Sequence, residues 1–168
     1  MLKVGDVAPC FCAPNQDDVE ICSRDLAGKW IVLYFYPKDL TPGCTTEACD
    51  FTNNHSFFDD LDAVILGVSA DETEKHRKFI EKYDLSITLL SDADKKMCQD
   101  YGVWKLKQFM GKEFMGIVRS TFIINPEGKI AAIWDGVNVR KKKSVKGEKI
   151  EILHVDEVRE ELQKLQSN

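Results

Sequence analysis

The amino-acid sequence predicts an α/β fold: a mixed central sheet flanked by helices, with an N-terminal β-hairpin extension. Three observations carry this reading. The runs WIVLYFYP (30–37) and AVILGVSA (63–70) are continuously apolar, as strands covered on both faces are. The stretch between them has helical spacing, with Ala48, Phe51, His55, Phe58 and Leu61 three or four residues apart. Strands and helices then alternate toward the C-terminus with no repeat and no linker, which reads as one domain over residues 1–168.

In chain order, FCAP and VEIC flank NQDD, a loop of turn formers, and so predict the hairpin. SRDLAG reads as a short turn or 3₁₀ segment, and 30–37 as a buried strand. Residues 43–60 read as one helix and 63–70 as the next strand. DETEKHRKFIEKY is helical and opens on acids that suit a helix N-terminus. SITLL is a short strand, and DADKKMCQDYG a short helix closed by Gly102. STFIIN and KIAAIW form a hairpin through a Pro-Glu-Gly turn, and LHVDEVREELQKLQ is an amphipathic C-terminal helix. The run Arg140 to Lys143, RKKK, reads as a solvated loop, with a docking patch for an acidic partner as a second reading.

Composition narrows the function. The chain has 168 residues, 43% of them apolar, enough for a substantial core. A net charge of −5 gives no reason to expect nucleic acid as a partner. No apolar run follows MLKVGDVAP, so neither a signal peptide nor a membrane span is expected. Six cysteines in a chain with this much core need not form a disulfide framework. A cytoplasmic protein with mostly reduced thiols is the expectation.

The segment PKDLTPGCTTEACDF (37–51) carries the chemistry. It sets Cys44 in the first turn of a helix, at the end of a central strand. A helix N-terminus offers about half a positive charge and several unpaired N–H groups. For any thiol, lowering the pKa from ~8.5 to ~6 raises the thiolate fraction at pH 7 about 30-fold. The less basic sulfur gives back roughly tenfold. Ionisation alone is therefore worth only a few-fold, and a fast thiol enzyme also needs preorganised donors around its transition state. Thr41 can supply a hydroxyl at this corner, and the amides of Gly43 and Cys44 can point into the same space. Pro37 and Pro42 remove two donors and stiffen the loop.

These residues resemble a known family. PKDLTPGC fits the peroxiredoxin pattern P-x-x-x-T-x-x-C, and TPGCTTEACDF is similar to the bacterioferritin comigratory protein, or Q-type, branch. The likeness extends through VGDVAPCFCAPNQDD, LLSDADKKMCQDYGVW and GIVRSTFIINPEGKI, in order. It implies a thioredoxin-like fold, reduction of hydrogen peroxide and organic hydroperoxides, and no metal or haem. It also implies thioredoxin, or a similar dithiol, as the reductant. By the same resemblance Cys44 is the peroxidatic cysteine, Thr41 contacts the peroxide, Pro37 shields the sulfur and Arg119 lies beside the thiolate. Cys49 matches the resolving cysteine that many members carry in this helix. Relatives of the branch are often monomers, and a monomer is expected here. DFTNN and the long basic stretch GVNVRKKKSVKGEKIEILH depart from the family pattern, which bears on surface contacts and choice of reductant.

Other readings stand beside this one. Cys98 in KKMCQDYG is expected to be a core residue. Cys10 and Cys12 share a strand face if extended, with Cys22 on the facing strand. A soft-metal site, a second disulfide and half-buried spectators are open there, and spectators are expected. A cysteine hydrolase needs a base near its thiol. His55, eleven residues along the helix, lies roughly 16 Å away, and His76 and His154 have no motif context. A dithiol oxidoreductase would use C-x-x-C where this chain has C-x₄-C. A single-cysteine peroxidase with Cys49 structural, or a redox sensor without turnover, would use the same Cys44.

Overall fold

The computed structural model describes residues 1–167. Its elements are β1 (Cys12–Pro14), β2 (Glu20–Cys22), a 3₁₀ turn (Ser23–Leu26), β3 (Trp30–Phe35), α1 (Pro42–Asn53) and α2 (His55–Asp60). Next come β4 (Ala63–Ser69), α3 (Thr73–Tyr83), β5 (Thr88–Ser91) and α4 (Lys96–Asp100). The chain ends with β6 (Trp104–Phe109), β7 (Lys112–Ile117), β8 (Ser120–Ile124), β9 (Ile130–Asp135), β10 (Arg140–Val145), β11 (Glu148–Leu153) and α5 (His154–Ser167).

The central sheet has the order β5-β4-β3-β8-β9. Strands β3, β4 and β5 run parallel, while β8 is antiparallel to both β3 and β9, so the sheet is mixed as expected. The apolar run of β3 serves two cores because side chains alternate across a strand. Val32, Tyr34 and the following Tyr36 pack with Phe51 of α1, Phe79 of α3 and Val158 of α5. Ile31, Leu33 and Phe35 pack on the other face with Phe11, Met97 and Tyr101. The N-terminal hairpin forms as expected, with Cys12 directly opposite Cys22.

Three local readings change. The helix expected over 43–60 breaks at Asn54 (φ −108°, ψ 8°), whose side-chain amide donates to the Asp50 carbonyl at 2.8 Å. That side chain competes with the helical ladder for the carbonyl. RKKK is not a loop: Arg140–Val145 pairs residue by residue with Glu148–Leu153. The hairpin β6–β7 had no counterpart in the sequence reading. Both hairpins are largely exposed; the alternation in WKLK (104–107) and KIEI (149–152) was the signal for a strand in each, while RKKKS (140–144) carries none.

Candidate active site

The site forms where β3 hands over to α1. The antiparallel register of β3 with β8 ends at Phe35 opposite Ser120. The next residues outward, Tyr36 and Arg119, therefore emerge together at the end of the sheet. Thr41, in extended conformation, caps α1, and Pro42 and Gly43 occupy its first positions. Helical hydrogen bonding starts with Thr45 N–H, which donates to Thr41 O at 2.9 Å. The Gly43 and Cys44 N–H groups thus lie ahead of the helical ladder, at the positive end of the helix.

Cys44 is a buried free thiol, only 2% exposed. Arg119 spans 75 residues of sequence to reach it, with Nη2 3.3 Å from the sulfur. Its Nη1 donates to Glu47 Oε1 at 2.7 Å, so one guanidinium bridges the thiol and a buried carboxylate. Burial opposes the guanidinium's charge, but the Glu47 carboxylate and then Cys44 hold Arg119 above its ordinary pKa. Burial pushes Glu47 up to about 7 against the pull of Arg119. Desolvation outweighs the ion pair because Glu47 Oε2 has no hydrogen-bond partner among the described residues. Sequence reading missed Glu47. Its signal was the i, i+3 spacing from Cys44, which sets both side chains on one helix face.

Gly43 makes the approach of Arg119 possible. A Cβ there would lie 3.2 Å from Arg119 Nη2, tight enough to shift it. Thr41 donates its hydroxyl proton to Lys38 O at 2.8 Å, which leaves the oxygen able to accept a hydrogen bond. Pro37 is half-buried, and Pro42 is exposed at the helix mouth. The loop is pinned from below by Asp39. Its carboxylate accepts from Tyr36 Oη and faces His76 Nδ1, and its N–H donates to Asp71 Oδ2 at 2.8 Å.

Cys49 lies on the same unbroken helix as Cys44, partly exposed and free. Burial and then the neighbouring Asp50 raise its thiol above the ordinary value, against Arg140. The other cysteines sort differently. Cys98 is fully buried, and burial followed by Asp92 pushes its thiol far up, so it is a core residue as expected. Cys12 and Cys22 are not spectators. They form a disulfide with Cα atoms 4.1 Å apart, because the hairpin register sets them directly opposite each other. Glu20 completes a three-residue group with them, but the sulfurs that would serve as metal ligands are bonded to each other. Cys10 is exposed and free. The histidines lie elsewhere: His55 meets Ser86, His76 meets Asp39 and Leu90 O, and His154 meets Thr121.

The AhpC/TSA family model matches residues 4–133. Peroxiredoxin Bcp of Bacillus subtilis is 50% identical over 139 residues, covering 83% of this chain and 88% of that protein. Among solved structures, the bacterioferritin comigratory protein of Xanthomonas campestris, described for its alkyl peroxide reduction activity, superposes with a TM-score of 0.80. It is 37% identical and covers 92% of this chain and 91% of that one. A mutant of PrxQ from Xylella fastidiosa gives a TM-score of 0.82 at 32% identity, covering 99% and 97%.

Proposed function

The chain belongs to the AhpC/TSA family, among the Bcp and Q-type peroxiredoxins, and on that footing we propose that Cys44 is its peroxidatic thiol and Cys49 its resolving thiol. The protein is a thiol-dependent peroxidase with a thioredoxin-like fold, using a peroxide as substrate and a thiol as reductant. The observation that carries the residue assignment is Arg119, forked between Cys44 and Glu47 at the mouth of α1.

The thiolate of Cys44 attacks the terminal peroxide oxygen. The S–O bond forms as the O–O bond breaks, and the alkoxide leaves with the electron pair and takes up a proton. Arg119 Nη2 and the Gly43 and Cys44 N–H groups meet the developing charge. The Thr41 oxygen accepts from the peroxide O–H and orients it. Pro37 and Pro42 limit the space around the sulfur. The product is Cys44 sulfenic acid. The Cys49 thiolate then attacks that sulfur, the S–S bond forms, and hydroxide leaves and is protonated to water. A dithiol reductant, with thioredoxin as the natural choice, restores both thiols. A monomeric protein in the cytoplasm, folded as one domain over 1–168, completes the reading. No helix among the described residues is long and apolar enough to cross a membrane.

The test is turnover in a thioredoxin-coupled peroxide assay, with peptide mapping of the peroxide-treated protein. Cys44→Ser should abolish turnover, while Cys12→Ser and Cys98→Ser keep most of it. Mapping should find Cys44 joined to Cys49. Turnover retained in Cys44→Ser would remove the assignment. A Cys44 mixed disulfide with an outside thiol would leave Cys49 a structural residue.

A further inference from the structure

The residue after Cys49 is held by a hairpin that lies outside the matched family region. Asp50 has a side chain only 4% exposed, and Arg140 grips both of its oxygens. Nη2 donates to Oδ1 at 2.7 Å and Nε to Oδ2 at 3.2 Å, a side-on fork. Arg140 opens β10, all six residues of which are exposed, and its Nη1 also reaches Glu151 on β11 at 3.3 Å. The hairpin spans 140–153, beyond the residues 4–133 matched by the family model.

This contact bears on resolution. On an intact α-helix, residues five apart have Cα atoms roughly 8–9 Å apart and point about 140° away from each other. A disulfide needs Cα atoms within about 6.8 Å. Cys44 and Cys49 both lie within the unbroken α1, so part of that helix must unwind before their sulfurs can meet. Pulling Cys49 toward Cys44 would drag Asp50 from its fork and break both charge-assisted hydrogen bonds.

We propose that Arg140 is a latch on α1: by gripping Asp50 it restrains the unwinding that brings Cys49 to the oxidised Cys44, and so sets how long the sulfenic acid survives. The inference rests on Cys49 being the resolving thiol. Arg140 acts through Asp50 and is a positioning residue. While the fork holds, unwinding is confined to the turns before Cys49, and the encounter waits for the fork to break. A sulfenic acid that waits longer meets a second peroxide more often and passes to sulfinic acid. This hairpin thereby tunes sensitivity to overoxidation without touching the peroxide site.

The experiment is a rapid-quench time course on the full-length reduced protein with hydrogen peroxide. Dimedone trapping and intact mass read the sulfenic, disulfide and sulfinic fractions. Arg140→Ala should leave sulfenic acid formation unchanged and speed its conversion to disulfide about tenfold, equivalent to ~1.4 kcal/mol. The sulfinic fraction at a given peroxide dose should fall. Arg140→Lys should restore part of the delay, since an ammonium keeps the charge but not the fork. Lys142→Ala, on the same strand, should match the wild type. Conversion that is unchanged or slower in Arg140→Ala, with mapping that finds the Cys44–Cys49 bond, overturns the latch. Equal slowing of both steps overturns it too, as general destabilisation. If mapping finds no Cys44–Cys49 bond in the wild type, the resolving role of Cys49 falls, and the latch with it.

Discussion

Arg119 sits 3.3 Å from the sulfur of Cys44 although 75 residues separate them in sequence. The end of one strand pair delivers this cation to the mouth of the next helix. Losing it removes a preorganised donor, which typically costs ~3 kcal/mol, or about 100-fold in rate. Arg119→Ala should slow the reaction with peroxide by that order in stopped flow. Arg119→Lys should also be slow, because an ammonium cannot reproduce the planar fork that spans Cys44 and Glu47 from two different nitrogens. A wild-type rate in Arg119→Ala would make the residue structural.

Gly43 separates rate from stability. An added Cβ 3.2 Å from Arg119 Nη2 must push the guanidinium by a few tenths of an ångström. Alanine is the better helix former, so the helix itself should not suffer. Gly43→Ala should therefore react with peroxide roughly tenfold more slowly while melting no lower than the wild type. A slower rate with a lower melting temperature would point to a disturbed fold instead.

Glu47 should leave a signature in the pH dependence of stability. Burial raises its pKa from 4.5 to about 7, so between those values the native state holds a proton that the unfolded chain has lost. Its contribution is fully present below 4.5 and is lost as pH rises through about 7. His154, lowered from 6.5 to about 4 chiefly by burial, acts in the opposite sense: its contribution is present above 6.5 and lost as pH falls through about 4. The two oppose each other where the windows overlap. Glu47→Gln should unmask His154, making stability rise with pH in that interval. The wild-type-minus-variant difference should fall by up to ~1.4 kcal/mol per pH unit as pH rises from 4.5 to 7. Denaturant melts at several pH values measure it. A flat difference would mean that Arg119 keeps Glu47 ionised throughout.

Hydrogen exchange can follow the helix through the cycle. In the reduced protein α1 is whole from Pro42 to Asn53 and contains both cysteines. Oxidation to the Cys44–Cys49 disulfide should lower amide protection across 44–52, while the buried strand 30–36 stays protected. Thr45 and Thr46 reduce the cost of opening, since β-branched residues are mediocre helix formers. Unchanged protection in protein carrying that bond would defeat local unwinding.

Much of this was legible in the chain itself. The apolar runs of β3 and β4, the Thr-Pro-Gly corner and the helix after it are local signals, set by periodicity and by residues with restricted backbones, so Cys44 could be placed at a helix N-terminus before any contact was known. The hairpin of Cys12 and Cys22 was legible too, but not that the two would bond, which depends on a register setting them face to face. Tertiary structure alone decided the rest, because those features are distances between residues remote in sequence. The family resemblance already set Arg119 beside the Cys44 thiolate, but its second arm, to Glu47, follows from β8 lying antiparallel to β3. The raised pKa of Glu47 follows from burial that no sequence window reports. The grip of Arg140 on Asp50 spans 90 residues, from an exposed strand, RKKKSV, that carries no apolar alternation to announce it.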